Sequence, residues 1–217
     1  DSEALCPIET TARDDMSEES ICGTVLPSRH QPPLPSRRVI REAFPDSDAV
    51  PMDVLFVGGG PAGLAGAVEL ARLVRRDAEA GGGLGEVEIG VLEKAGQLGE
   101  HCLSGAVVNP RALRELFPEL PESEFPLHGP VTKEAVYLLT RGHSFRIPTP
   151  PTMRNHGNRV ASLCELVRWL GDQAEALGVN VLPGFPVASL LTREQRVVGV
   201  RTVPSGQDRE GAGGEGA

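Results

Sequence analysis

The chain has 217 residues, of which 40% are hydrophobic and 24% are charged. This composition is typical of a globular protein with enough apolar residues to form a core. The 30 acidic residues outnumber the 21 basic ones and give a net charge of −9. This acidic balance disfavours a general nucleic-acid binder, because such proteins carry a basic surface. The sequence contains no apolar run long enough to span a membrane, and its four cysteines lack zinc-type spacing.

Both ends of the chain are predicted to lie outside the core. Residues 1–50 are polar and interrupted by prolines, which predicts an extended or disordered lead-in. Residues 205–217 (SGQDREGAGGEGA) contain five glycines and no large apolar side chain. That composition predicts a flexible tail, at which the chain looks cut.

An α/β fold is predicted between the two ends. The apolar residues 52–57 predict a strand, and residues 64–74 predict the helix that follows it. Residues 87–92 predict a second strand. A glycine-rich stretch over residues 77–86 separates helix from strand and predicts a flexible insertion.

A second helix and a hairpin are predicted in the last third of the chain. Apolar residues recur at spacings of three and four from Val160 to Leu177, which predicts one helix over this range. Asn158 is the expected N-cap of that helix, and Gly178 is the expected residue after its end. The elements expected next are a short strand and an antiparallel hairpin, over residues 179–182, 187–191 and 196–203.

The strongest motif is a glycine pattern between the first strand and the first helix. Gly58, Gly60 and Gly63 form G-x-G-x-x-G in the strand–turn–helix context of dinucleotide-binding proteins. In this pattern Gly58 permits the tight turn, Gly60 lets the backbone approach a pyrophosphate, and Gly63 lets the helix pack against the strand. The alternative is a glycine-rich turn with no ligand.

Glu93 ends the second predicted strand, where a carboxylate accepts hydrogen bonds from the adenosine ribose. Its charge would repel a 2′-phosphate, which disfavours NADP. Gly96 and Gly99 follow closely and favour FAD over NAD, because they let the chain wrap over a long cofactor. The alternative is a surface carboxylate at a strand end.

Three blocks of the sequence are similar to electron transfer flavoprotein–ubiquinone oxidoreductases: EKAGQLGEHCLSGAVVNPRALRELFPEL, FRIPTPPTMRNHGN and LVRWLGDQAEALGVNVLPGFPVASLL. They occur in the order and spacing of that family, and the resemblance extends over roughly residues 26–211. It implies an FAD-binding Rossmann-like fold of the large flavoprotein class and a 4Fe–4S cluster. It also implies electron transfer from reduced electron transfer flavoprotein to ubiquinone at the mitochondrial inner membrane or the bacterial cytoplasmic membrane.

The resemblance carries cofactor-binding roles to individual residues. They are Gly58, Gly60, Pro61, Ala62 and Gly63 in the pyrophosphate loop, Glu93 and Lys94 at the ribose, His101, Leu103, Ser104 and Gly105 beside FAD, and Val187 at the adenine. Two departures concern flavin contacts: Cys102 stands where the family commonly has Thr, and Arg159 where it often has Tyr. No catalytic acid or base is expected, because electron transfer requires none.

The resemblance also implies a division of the chain. Residues 51–106 correspond to the first part of the FAD-binding domain, residues 107–158 to an insertion on the substrate or quinone side, and residues 159–204 to the return of the FAD-binding domain. The chain is less than half of the family's usual length. The quinone-binding, membrane-facing and cluster-ligating segments are therefore expected to be missing, and an N-terminal piece of this kind is expected to be inactive by itself.

Two alternatives to this function remain at the sequence level. One is an FAD-dependent monooxygenase or isoprenoid reductase of the same superfold, which shares the glycine loop and Glu93 but lacks the HCLSGA and NHGN blocks. The other is a non-catalytic fragment that binds a dinucleotide. Cys102 is expected to be a lone buried cysteine, because no second cysteine lies close to it in the sequence, and Cys164 is expected in the core beside the apolar stripe of the second helix.

Overall fold

The computed structural model describes residues 36–44 and 48–204. Within them the helices are α1 (Ser36–Val39), α2 (Pro61–Glu79), α3 (Arg111–Leu116) and α4 (Leu163–Ala176). The strands are β1 (Ile40–Glu42), β2 (Val54–Val57), β3 (Ile89–Glu93), β4 (Ala106–Val108), β5 (Leu127–Pro130), β6 (Val136–Leu139), β7 (Ser144–Ile147), β8 (Arg159–Ala161), β9 (Asn180–Pro183), β10 (Val187–Arg193) and β11 (Arg196–Thr202).

A parallel sheet in the order β2-β3-β9 forms the centre of the fold. Strand β3 lies between the other two and is buried along almost its whole length, as expected of a parallel strand that helices cover. Helices α2 and α4 pack against each other and against this sheet. Their apolar faces share one core with β3, which includes Leu64, Val68, Val91, Val167 and Leu170. The predicted α/β fold is confirmed in this part of the chain.

Helix α2 is longer than the sequence predicts. It begins at Pro61, because proline suits the first position of a helix, and it continues to Glu79. The prediction of a flexible insertion over residues 77–86 is therefore wrong for residues 77–79, which belong to the helix. The helix also packs closely on β2, since a Cβ atom on Gly66 would lie 2.8 Å from the Phe56 ring.

Helix α4 begins later than predicted. Val160 belongs to strand β8, which pairs with β4 and β5 in an antiparallel sheet, and the helix has Ser162 at its N-cap position. The prediction of Asn158 as the N-cap is therefore wrong. Asn158 lies in a turn, where its side-chain amide donates to Asn155 at 3.3 Å. Gly178 follows the helix with a φ of +86°, as predicted.

The segment between β3 and α4 carries the sheet β4-β8-β5 and the separate antiparallel pair β6-β7. Aromatic side chains attach this segment to the core. Phe117 and Phe125 are both buried and pack around Trp169 of α4. The ring centroids of Phe117 and Trp169 are 4.8 Å apart in an edge-to-face arrangement.

The remaining three-stranded sheet, in the order β1-β10-β11, joins the two ends of the described chain. Strands β10 and β11 form the predicted antiparallel hairpin, which turns over Glu194 and Gln195. Strand β1 pairs in parallel with β10 and places Ile40 opposite Leu190. The sequence predicts only an extended lead-in over residues 1–50. The pairing is not visible locally, because the partner strand lies 150 residues away.

Candidate cofactor-binding site

The three motif glycines meet different steric demands at the end of β2. Gly58 has a φ of +114°, in the region that favours glycine, and its amide donates to the carbonyl oxygen of Leu92 at 2.8 Å. A Cβ atom on Gly63 would lie 2.1 Å from the Gly58 carbonyl oxygen. Gly60 has a φ of −83°, and a Cβ atom there would meet no atom within 4 Å. Gly58 and Gly63 are therefore required by the fold, whereas Gly60 leaves space open in front of the loop.

That open space lies at the N-terminus of α2. Gly60 is the N-cap residue and Pro61 follows it, and no side chain caps the helix or places an acidic group in its first turn. The first backbone N–H groups of this 19-residue helix, including that of Ala62, are not used inside the helix. Because these groups and the helix dipole favour negative charge, this end suits a phosphate.

Glu93 ends β3 beside this loop. Its Oε2 atom accepts a hydrogen bond from the amide of Gly59 at 2.8 Å, and its Oε1 atom accepts one from the amide of Ala95 at 2.9 Å. Each carboxylate oxygen can accept a second hydrogen bond, so the group can also receive ribose hydroxyls. The adjacent Lys94 side chain is exposed.

Gly59 is a residue of the site that the glycine motif does not identify. A Cβ atom at this position would lie 2.7 Å from Leu98 Cδ2 and 3.0 Å from Glu93 Cβ. The position therefore requires glycine for the carboxylate of Glu93 to reach the loop. Three consecutive glycines were the only sequence signal for this requirement.

The loop before β4 carries the next group of predicted cofactor residues. His101, Leu103, Ser104 and Gly105 are all exposed, with 84% exposure at Leu103. This loop reaches the end of β3, where burial, Cys164 and Glu93 together raise the pKa of the Cys102 thiol. An exposed leucine beside polar residues is suited to line a bound cofactor.

Backbone hydrogen bonds bring the start of the hairpin to the same edge of the sheet. The amide of Phe185 donates to the carbonyl oxygen of Glu93 at 2.9 Å, and the amide of Gly184 donates to that of Ala95 at 2.7 Å. Val187 follows as the first residue of β10 and is half-buried. The structure thus places the glycine loop, Glu93, the loop before β4 and the start of β10 at or next to the carboxyl end of β3.

The described residues do not form a metal centre. Within residues 36–44 and 48–204, no three side chains among His, Cys, Asp and Glu are grouped so as to hold a metal ion. Cys102 and Cys164 are the cysteines of this part of the chain, and Cys6 and Cys22 lie outside it. The described residues therefore do not fit a 4Fe–4S cluster, which requires four ligands. None of the described helices is long and apolar enough to cross a membrane.

A glycine loop at a helix N-terminus, with an acidic residue at the end of the next parallel strand, defines a dinucleotide-binding α/β protein of the Rossmann type. Comparison with known proteins finds several relatives that carry one name. Over 169 residues the chain is 47% identical to electron transfer flavoprotein–ubiquinone oxidoreductase of Pseudomonas aeruginosa, covering 76% of this chain and 30% of that protein. It is 44% identical to the mitochondrial enzyme of Mus musculus over 163 residues, covering 74% of this chain and 26% of that protein.

A third relative, from Dictyostelium discoideum, is 38% identical over 172 residues and is matched over 27% of its length. The chain is thus similar over about three quarters of its length to electron transfer flavoprotein–ubiquinone oxidoreductases, and it spans between a quarter and a third of the length of these relatives. No family model matches it. Among solved structures, a geranylgeranyl bacteriochlorophyll reductase-like protein from Thermoplasma acidophilum has 19% identity and a TM-score of 0.47. The match covers 70% of this chain and 34% of that protein's chain.

Proposed function

We propose that this chain binds FAD for an oxidoreductase that accepts electrons from reduced electron transfer flavoprotein and passes them to ubiquinone. The reaction is supported by the identity of 44% and 47% to two proteins named electron transfer flavoprotein–ubiquinone oxidoreductase, one mitochondrial and one bacterial. The intact enzyme would act at the mitochondrial inner membrane or the bacterial cytoplasmic membrane. The segment 107–158 would lie on its quinone side.

The chain's own residues fit the adenosine-diphosphate half of FAD. The empty space at Gly60 and the free N–H groups of α2 suit the pyrophosphate, and the carboxylate of Glu93 suits the ribose hydroxyls. Val187 lies where backbone groups of β10 would meet the adenine. Exposed Leu103 and Ser104 would lie against the rest of the cofactor.

The proposed reaction requires these residues to bind and orient FAD. It requires none of them to act as an acid or base that moves a proton. When bound, FAD supplies the redox chemistry, while the protein sets its position and surroundings. The 4Fe–4S cluster that the family resemblance implies has no place among the described residues, so no step of the reaction is assigned to it.

The test compares the 217-residue chain with a polypeptide extended to the length of its relatives. The extended protein should purify with FAD and reduce a soluble ubiquinone analogue when given reduced electron transfer flavoprotein. The chain alone should retain little FAD and show no such activity, because a cofactor bound mainly through its adenosine half loses binding energy. An unreduced donor is the control for background reduction.

Two results would contradict the proposal separately. A flavin-loaded extended protein that takes no electrons from the reduced donor would overturn the reaction. A monomeric 217-residue chain that holds stoichiometric FAD would overturn the inference that the chain lacks part of the cofactor site.

A further inference from the structure

Two cysteines that are 62 residues apart in the sequence meet beside the candidate site. The Cys164 thiol donates a hydrogen bond to the carbonyl oxygen of Cys102, with 3.0 Å between the sulfur and oxygen atoms. Both thiols are free and only half-buried, so a small oxidant can reach them. Covalent geometry then limits the separation of their Cα atoms to at most about 8 Å, and disulfides span Cα separations of about 4.4–6.8 Å.

Contacts of neighbouring residues hold the two cysteines together independently of their own side-chain rotamers. The loop before Cys102 docks on α4: the Arg168 guanidinium donates to the carbonyl oxygen of Leu98 at 3.3 Å, and Leu98 fills the space left by Gly171. Gly99, with a φ of +80°, lies so close that a Cβ atom would be 2.7 Å from the Cys164 carbonyl oxygen. The turn that carries Cys102 is thus fixed on the first turn of α4.

We propose that Cys102 and Cys164 form a redox-active dithiol that a peroxide converts into an intramolecular disulfide. One thiolate attacks a peroxide oxygen, so that an S–O bond forms, the O–O bond breaks and water leaves after protonation. The second thiol then attacks this sulfur, the S–S bond forms, the S–O bond breaks and a second water leaves. The two thiols lose two electrons and two protons, and hydrogen peroxide gains both.

The two steps balance whichever of the two thiols attacks the peroxide first. Burial, Cys164 and Glu93 raise the pKa of the Cys102 thiol, so the oxidation should be faster at higher pH, where more thiolate is present. The resulting bond would fix the loop of Leu103 and Ser104 to α4.

Peptide mapping of the whole 217-residue chain tests this inference. The reduced chain, freed of reductant, is treated with hydrogen peroxide under native conditions, alkylated and digested with trypsin. The disulfide should join residues 95–111 to residues 160–168, and the linked species should be two hydrogens lighter than the two reduced peptides combined. In concentrated guanidinium chloride the four cysteines should pair without this preference. Native oxidation that pairs either residue with Cys6 or Cys22, or that leaves two separate sulfinic acids, would overturn the proposal.

Two variants sharpen the test. A Cys6→Ser/Cys22→Ser double variant should form the same linked peptide at the same rate. Gly99→Ala should displace the turn from α4 and slow its formation at least about fivefold, because the added methyl overlaps helix backbone. Circular dichroism must show that this variant is folded. A folded Gly99→Ala chain that forms the bridge at the unaltered rate would refute the role of the docked loop, and a double variant that forms no bridge would refute the dithiol.

Discussion

Two alanine substitutions in the glycine loop should affect different properties: one should weaken binding and the other should lower stability. Gly60→Ala adds a methyl group to the open space at the helix N-terminus, where the pyrophosphate is proposed to lie. Gly63→Ala adds the same methyl group against the Gly58 carbonyl oxygen. The two changes are chemically identical and only three residues apart, so each is the control for the other.

The magnitudes follow from the local geometry. The φ of −83° at Gly60 suits alanine, and the loss of a good N-cap residue is offset by the lower entropy of the unfolded chain, so the free energy of unfolding should change by less than about 1 kcal/mol. The 2.1 Å approach at Gly63 involves backbone on both sides and should cost about 1–3 kcal/mol. For a chain of this size, about 2 kcal/mol corresponds to a Tm lower by roughly 4–8 °C.

Thermal melts followed by circular dichroism measure the effect on stability. Titration calorimetry with ADP, which carries the adenosine and pyrophosphate groups, measures the effect on binding. Gly60→Ala should melt like the parent chain but bind ADP at least about tenfold more weakly, a loss of about 1.4 kcal/mol. Gly63→Ala should melt earlier. Unchanged ADP affinity in Gly60→Ala would show that the pyrophosphate does not lie in this space, and an unchanged Tm in Gly63→Ala would refute the steric reasoning.

Two further substitutions test charged groups. Glu93→Gln keeps the side-chain shape but removes charge-assisted hydrogen bonds worth about 1.5–3 kcal/mol each. The affinity for ADP and FAD, measured by calorimetry, should therefore fall at least about tenfold. An unchanged affinity would show that Glu93 is a surface carboxylate that does not contact the ribose. Arg114 and then Arg159 lower the pKa of the Glu122 carboxyl, so its stabilising effect is present above the unfolded-state pKa and lost as the pH falls through the lower folded-state value. Glu122→Gln should therefore lower the Tm at pH 7, and the difference from the parent chain should shrink on acidification; a difference independent of pH would refute the ion-pair explanation.

Local pattern was sufficient for the glycine loop and the secondary structure beside it. The strand before Gly58 and the helix after it follow from hydrophobic spacing, and Glu93 follows from its position at a strand end. These features depend on residues within a few positions of one another, which is why the sequence predicts them.

The errors and omissions come from tertiary contacts. Val160 continues the helical spacing of α4, yet it forms a strand because β4 and β5 pair with it from earlier in the chain. Gly59 is required because of Leu98 and Glu93, which lie more than 30 residues away. Cys102 and Cys164 meet only because a loop docks on a helix. No local pattern encodes any of these contacts.

The parallel pairing of β1 with β10 has a consequence for synthesis on the ribosome. Ile40 is made early, but its partner Leu190 follows 150 residues later. At about 5–20 residues per second, β1 waits roughly 8–30 s before its partner strand has been synthesised. The glycine loop, β2 and β3 are made long before then, but α4 and β9, which complete their core and sheet, end only at Ala176 and Pro183. This core can therefore close just before β10 becomes available to β1. Strand β1, the first of the described strands, therefore finds its partner only late in synthesis.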